Sequence, residues 1–283
     1  MSYLSVSTWS LHRLLGPLRW TVWNPETRMH EVKEQDQPQI LSLLELPQEA
    51  ARRGYQALEL CHFHFPSTDD GYLHDLRERF AAAQISLDTI LLDYGDLTHP
   101  DDVRRAADYA FMQEWIGLAA KCGAKRIRII AGEASPSDEA SLQLSTNSLR
   151  SLGEYGERIG VQVVTENFKS LLSTGANCLT VMDQTAGQVA MITDFGNYHG
   201  PLKYEEIAAT TPYSKSIHVK PHYDEAGRPD EAELRQCLDS VQAGGYDGAY
   251  VLIYDGPGDM WEGLERVRKM VEPYLGAAPG SHL

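Results

Sequence analysis

Short apolar or β-branched runs alternate with longer stretches whose apolar positions return every three or four residues, and this alternation continues from one end of the chain to the other. The short runs, residues 3–8, 57–61, 86–92, 126–131, 162–166, 189–194, 216–220 and 249–254, predict strands. The stretches between them predict helices near residues 47–53, 71–83, 100–122, 137–159, 176–185, 204–209, 230–243 and 261–274. Eight strands and eight helices over 283 residues come to about 35 residues per unit, the size of a βα repeat. Glycines punctuate the helix ends before several strands, at Gly54, Gly123, Gly160 and the Gly244–Gly245 pair. Glycine enters the left-handed conformation that closes a helix at no steric cost. The expected fold is α/β, a closed (β/α)8 barrel occupying residues 1–283 as a single domain. An open doubly wound sheet is the rival, but no G-x-G-x-x-G follows the first strand.

One unit breaks the pattern. Residues 9–45, directly after the first strand, carry Trp9, Trp20, Trp23, His12 and His30 among prolines and charges, without clean periodicity. A loop of this length is usually a lid or a mobile segment, and here it belongs to the face on which barrel active sites form.

Composition narrows the function classes. Lys and Arg number 25 against 40 Asp and Glu, a formal charge of −15, which argues against a nucleic-acid partner because phosphate neutralisation supplies that affinity. Hydrophobic residues at 42% and charged residues at 23% are ordinary for a folded globular chain. No apolar run is long enough to span a bilayer, so no membrane partner is expected. The start of the chain lacks a basic segment followed by an apolar core. The four cysteines stand far apart with no C-x-x-C pair, which reads as reduced thiols. A cytoplasmic location is the expectation.

In a barrel, chemistry sits on polar residues that close the strands. Those ends read His62 and His64, Asp93, Glu133, Glu166 with Asn167, Asp194, His218 with Lys220 and His222, and Tyr254 with Asp255. Carboxylates and imidazoles therefore gather where strands finish. His62 and His64 are two residues apart, so strand alternation puts them on one face, able to line a pocket or act as acid or base near neutral pH. Trp9 follows the first strand and offers an aromatic ring at the same end of the barrel.

The segments Gly160-Val-Gln-Val-Val-Thr-Glu166-Asn167, Met191-Ile-Thr-Asp194-Phe-Gly-Asn197 and Ser216-Ile-His218-Val-Lys220, with the closing Gly-Tyr-Asp-Gly and Tyr-Asp-Gly-Pro-Gly-Asp between residues 245 and 259, resemble the xylose isomerase-like barrels, the superfamily of sugar isomerases and epimerases. The resemblance spans essentially the whole chain. It implies a divalent metal at the barrel mouth, held by Glu, Asp, His and a second Glu from the last four strands. Glu166, Asp194 and His218 match the first three positions. Two carboxylates and one imidazole suit Mn, Zn, Co or Mg and leave positions open for vicinal substrate oxygens.

The fourth position departs from that pattern. Aligned on Gly256-Pro257-Gly258, Ile253 stands where the second Glu is expected, and it offers no lone pair. Asp255, two residues on, faces the same way but lies about 6.6 Å nearer the mouth. The expected activity is proton transfer beside a carbonyl of a small sugar or polyol derivative, with Glu166 as base. His64, His62, Glu133, Asp255 and Lys220 are the candidates for its partner. Catalytic roles fall to Glu166, Lys220 and His64; substrate contacts to Trp9, His62, His64, Glu133, Asn167, Lys220 and Asp255. A lyase or dehydratase on a keto-sugar is the alternative, because it needs one base; a sugar-binding barrel without catalysis is the third reading. A homo-oligomer is open, since relatives with this fold commonly associate.

Overall fold

The computed structural model describes residues 1–276. β1 (Tyr3–Ser7) is followed by a two-stranded ribbon, β2 (Leu18–Asn24) and β3 (Met29–Gln35). The remaining strands are β4 (Ala57–Cys61), β5 (Ser86–Leu91), β6 (Arg126–Arg128), β7 (Gln162–Glu166), β8 (Val189–Asp194), β9 (Ser214–Val219) and β10 (Ala249–Leu252). All but the ribbon join in one closed barrel, in the order β1-β10-β9-β8-β7-β6-β5-β4, and β1 pairs with β4 to complete the ring. Every pairing in the ring is parallel. The chain folds as the expected (β/α)8 barrel.

The helices are α1 (Leu46–Arg52), α2 (Asp70–Ala83), α3 (Asp102–Cys122), α4 (Glu139–Arg158), α5 (Gly175–Thr185), α6 (Lys203–Thr210), α7 (Glu231–Ala243) and α8 (Met260–Val271). Their starts are chemically marked. Asp69, Asp101, Asp138, Asp230 and Asp259 each accept a first-turn backbone N–H, which stabilises such a helix by about 1 kcal/mol over alanine. At the other end of α3, Gly123 has φ +78° and its N–H reaches the carbonyls of Ala119 and Ala120. In α4, a Cβ on Gly156 would come within 2.5 Å of the Val161 carbonyl, so the bare backbone lets the helix lie against the strand that follows.

The strands are buried on both faces, which is why they read as apolar runs without alternation. Outward residues such as Ile127, Val163, Met191 and Ile217 pack against the helices in the main core. Inward residues form smaller clusters: Val164 and Ile192 join Cys61, Phe63 and Leu91, while Val251 and Ile253 meet Trp9.

Several strands stop short of the expected ends: β6 at Arg128, β10 at Leu252 and β9 at Val219. The larger correction concerns residues 9–45. Instead of a loop they contain the β2–β3 hairpin, paired over seven positions from Leu18–Gln35 to Asn24–Met29. Its turn is held by Asn24 Oδ1, which accepts from the N–H groups of Glu26 and Thr27. β3 is exposed at six of its seven residues and has no apolar face, so the hydrophobic pattern carried no trace of it. No helix among the described residues is long and apolar enough to cross a membrane.

Candidate metal centre at the barrel mouth

Glu166 closes β7, Asp194 closes β8 and His218 is the penultimate residue of β9. The ladder sets Asp194 opposite His218, and adjacent strands deliver the three side chains to one point. One ligand atom from each lies within 4.8 Å of the others. His218 Nδ1 is 3.5 Å from Asp194 Oδ2 and 3.7 Å from Glu166 Oε1. All three residues are buried.

Each is held by a further contact. Arg128 Nη1 donates to Glu166 Oε2 at 2.6 Å, and Asn197 Nδ2 donates to Oε1 at 3.0 Å. Burial alone would raise the Glu166 carboxyl; the Arg128 guanidinium and His218 override it and hold it below the usual carboxylate range. Asp194 accepts the N–H groups of Gly196 and Asn197 on Oδ1, which leaves Oδ2 facing His218. On the far side of the ring, His218 Nε2 lies 2.6 Å from Glu59 Oε2. Burial disfavours the charged imidazole, but the Glu59 and Glu166 carboxylates raise its pKa well above the ordinary value.

The cluster opens into a cavity of about 290 Å³. One arc of its wall, beside β1 and β4, is aromatic, built from Trp9, Trp20 and Phe63, while Phe168 stands apart from it after β7; Trp20 reaches in from β2 with its ring centre 4.4 Å from that of Phe63. The other arc is polar and includes Asp93, Arg128, Lys220 and Asp255. Arg128 also donates to Asp93, whose carboxyl is nonetheless pushed up by burial. Lys220 Nζ stands 3.8 Å from Asp255, and the carboxylates around it raise its pKa, so it is a cation at neutral pH.

The expected site residues divide. Trp9, Glu166, Asp194, His218, Lys220 and Asp255 line the cavity, as does Ile253, which packs near Trp9. His62 and His64 do not. The strand stops at Cys61 and the chain enters a 3-10 turn over His62–His64, so the two-residue alternation fails and Phe63 turns inward. His62 Nδ1 accepts the N–H of Asp93, and His64 Nδ1 pairs with Thr8 Oγ1 at 2.9 Å. Burial lowers both imidazoles to about 3, which keeps them neutral near neutral pH. Asn167 is turned away from the cavity: its amide spans the Asp194 backbone, donating to the carbonyl and accepting the N–H. Glu133 is largely exposed and does not line the cavity, but it pairs at 3.1 Å with Lys169, which does.

Two residues were missed. Arg128 and Glu59 lie inside strands that read as apolar, and both side chains point into the barrel. The available signal was a charge flanked on both sides by buried apolar residues, Leu58 and Leu60 for Glu59 and Ile127 and Ile129 for Arg128, a costly placement unless a partner waits nearby.

A family model described as xylose isomerase-like TIM barrel matches residues 47–270. The chain belongs to that family. Among solved structures of the same fold, an L-ribulose 3-epimerase superposes with a TM-score of 0.70 at 15% identity, covering 97% of this chain and 95% of its own. The IOLI protein with a bound zinc atom gives 0.71 at 14% identity, covering 96% and 98%. The probable 3-DHS dehydratase AsbF from Bacillus anthracis gives 0.69 at 15% identity, covering 96% and 99%. No curated protein sequence resembles the chain closely enough to count as a match. At these identities the likeness establishes the xylose isomerase-like fold and nothing finer.

Proposed function

We propose that this barrel is a metal-dependent isomerase or epimerase that moves a proton at the carbon beside a carbonyl in a small sugar or polyol derivative. The observation that carries the reading is the convergence of Glu166, Asp194 and His218 within 4.8 Å at the floor of a 290 Å³ cavity. The donor set fits a divalent ion: two carboxylate oxygens and one imidazole nitrogen, of the kind that accepts Mn, Zn, Co or Mg. Zinc is bound in the structure of the IOLI protein, which has the same fold. When bound, the ion polarises the substrate oxygens and so acidifies the neighbouring C–H.

The protein's own groups do the rest. Glu166, kept ionised by Arg128, accepts the proton. Lys220, which lines the same cavity beyond β9, donates hydrogen bonds to substrate oxygen. The aromatic arc covers the apolar C–H face and excludes water. Ile253 leaves the second carboxylate of the family pattern absent, and Asp93 takes its role: it lines the same cavity, and burial lifts its carboxyl toward the range of a working acid. Four buried, unpaired cysteines suit a reducing compartment such as the cytoplasm.

The test is solvent exchange. In D2O, with a panel of ketoses and added divalent metal, deuterium is expected at the carbon beside the carbonyl. Glu166→Gln should abolish that incorporation with the circular dichroism unchanged. Undiminished exchange in that variant overturns the reading. Ile253 favours a second reading, a lyase on a keto-sugar, which works with one base. It predicts a product with a new double bond and no epimer.

A further inference from the structure

Glu59 sits in the middle of β4, wholly buried, with no lysine or arginine among its hydrogen-bond partners. Oε1 accepts hydrogen bonds from Thr89 Oγ1 at 3.0 Å and Ser216 Oγ at 2.9 Å. Oε2 faces His218 Nε2 at 2.6 Å. The placement depends on an irregularity in the barrel. Between Leu58 and Glu59 the register with β5 shifts, so that Leu58 pairs with Leu87 and Glu59 with Thr89, and Asp88 is skipped. Without the shift, a second carboxylate instead of a hydroxyl would stand beside Glu59.

We propose that Glu59 is a positioning residue for His218: by accepting the Nε2–H from inside the barrel, it fixes the imidazole ring and turns Nδ1 toward Glu166 and Asp194. The inference rests on the metal site proposed above. With both hydroxyls donating to Oε1, Oε2 is left to accept, so the neutral ring that binds a metal keeps its proton on Nε2 and its lone pair on Nδ1. Nδ1 is the nitrogen that faces the two carboxylates. An imidazole without an acceptor at Nε2 turns about its Cβ–Cγ bond, and a carbon then takes the place of the donor atom. A purely stabilising role explains the pair poorly, because a buried ion pair is often no better for stability than apolar residues of the same volume. Fixing a ligand's ring and tautomer is what a carboxylate behind a metal-binding histidine does.

Two measurements on the full chain test this, and neither reads turnover. Calorimetric titration with Zn²⁺ should give an affinity for Glu59→Gln about 10- to 100-fold weaker than for the unsubstituted protein. Nitrogen-15 NMR of the zinc-loaded unsubstituted protein should find a proton on Nε2 of His218 and the metal on Nδ1, assigned against His218→Gln. The NMR result stands even if Glu59→Gln does not fold. Equal affinities, or zinc on Nε2, overturn the inference while leaving the metal site intact. If the unsubstituted protein takes up no Zn²⁺, Mn²⁺ or Co²⁺, the proposed function itself fails, and the role of Glu59 with it.

Discussion

Arg128 Nη1 donates to Glu166 Oε2 at 2.6 Å, at a depth where neither side chain is more than 4% exposed. The guanidinium therefore stands directly behind the carboxylate that faces His218 and the cavity, and its second amino group reaches Asp93. Arg128 links three consecutive strands at the mouth: from β6 it ties Glu166 on β7 to Asp93 beyond β5, and its Cζ lies 4.9 Å from the centre of the Phe168 ring.

Removing Arg128 takes from Glu166 and Asp93 the buried guanidinium that both contact. Arg128→Met is expected to destabilise the protein by about 3–5 kcal/mol, the usual cost of breaking a buried pair from one side. Urea unfolding at neutral pH measures it. A loss below about 1 kcal/mol would mean that the pair contributes as little as a surface salt bridge.

The pH dependence has a definite sign. Glu166 in the folded protein is held below its unfolded value, so its contribution is present above the unfolded carboxylate range and is lost as pH falls toward the folded value. The metal-free protein should therefore weaken from about pH 5 down to about pH 2, and Glu166→Gln should flatten that limb. His218 acts oppositely: its raised value contributes stability below about pH 6.5 that fades as pH rises through the folded value. Urea midpoints across the pH range, for the unsubstituted chain, Glu166→Gln and His218→Gln, check the two signs.

The ribbon is tethered as well as folded. Asp108, fully buried on α3, accepts from His30 Nε2 of β3 at 2.8 Å, and His30 packs among Trp23, Tyr94 and Phe111. His30→Ala should loosen the ribbon and speed tryptic cleavage at Arg28 in its turn. Cleavage rates followed by mass spectrometry should rise several-fold, and unchanged rates would show that the β2 contacts alone hold the ribbon down.

Ile253→Glu returns a carboxylate to the position where the family pattern has one. It is expected to tighten divalent metal binding by about tenfold, or about 1.4 kcal/mol. Burying the new carboxylate should also lower the stability of the metal-free protein by about 1–3 kcal/mol. Calorimetric titration together with urea unfolding reads both effects, and an unaltered affinity would mean that this position does not reach the ion.

Much of this architecture is visible before folding. Eight apolar runs, helix starts marked by Asp69 and Asp101, and terminators such as Gly123 are local signals, and local signals survive in a linear string. Glu166, Asp194 and His218 were legible because each is a polar residue near the end of an apolar run. The histidines at 62 and 64 misled because the backbone changed period: a strand puts i and i+2 on one side, and the 3-10 turn at His62–His64 does not. The ribbon escaped notice because β3 buries no apolar face, leaving a hydrophobicity reading nothing to detect.

What the chain's own order of residues determined was the repeat, its boundaries and the polar groups at the strand ends, all properties of neighbours along the backbone. What only the tertiary structure decided was which charges meet. Glu59 reaches His218 across 159 positions of sequence and Arg128 reaches Glu166 across 38. Closing the barrel is what makes those distances short, and it removes the water that would otherwise solvate each charge separately.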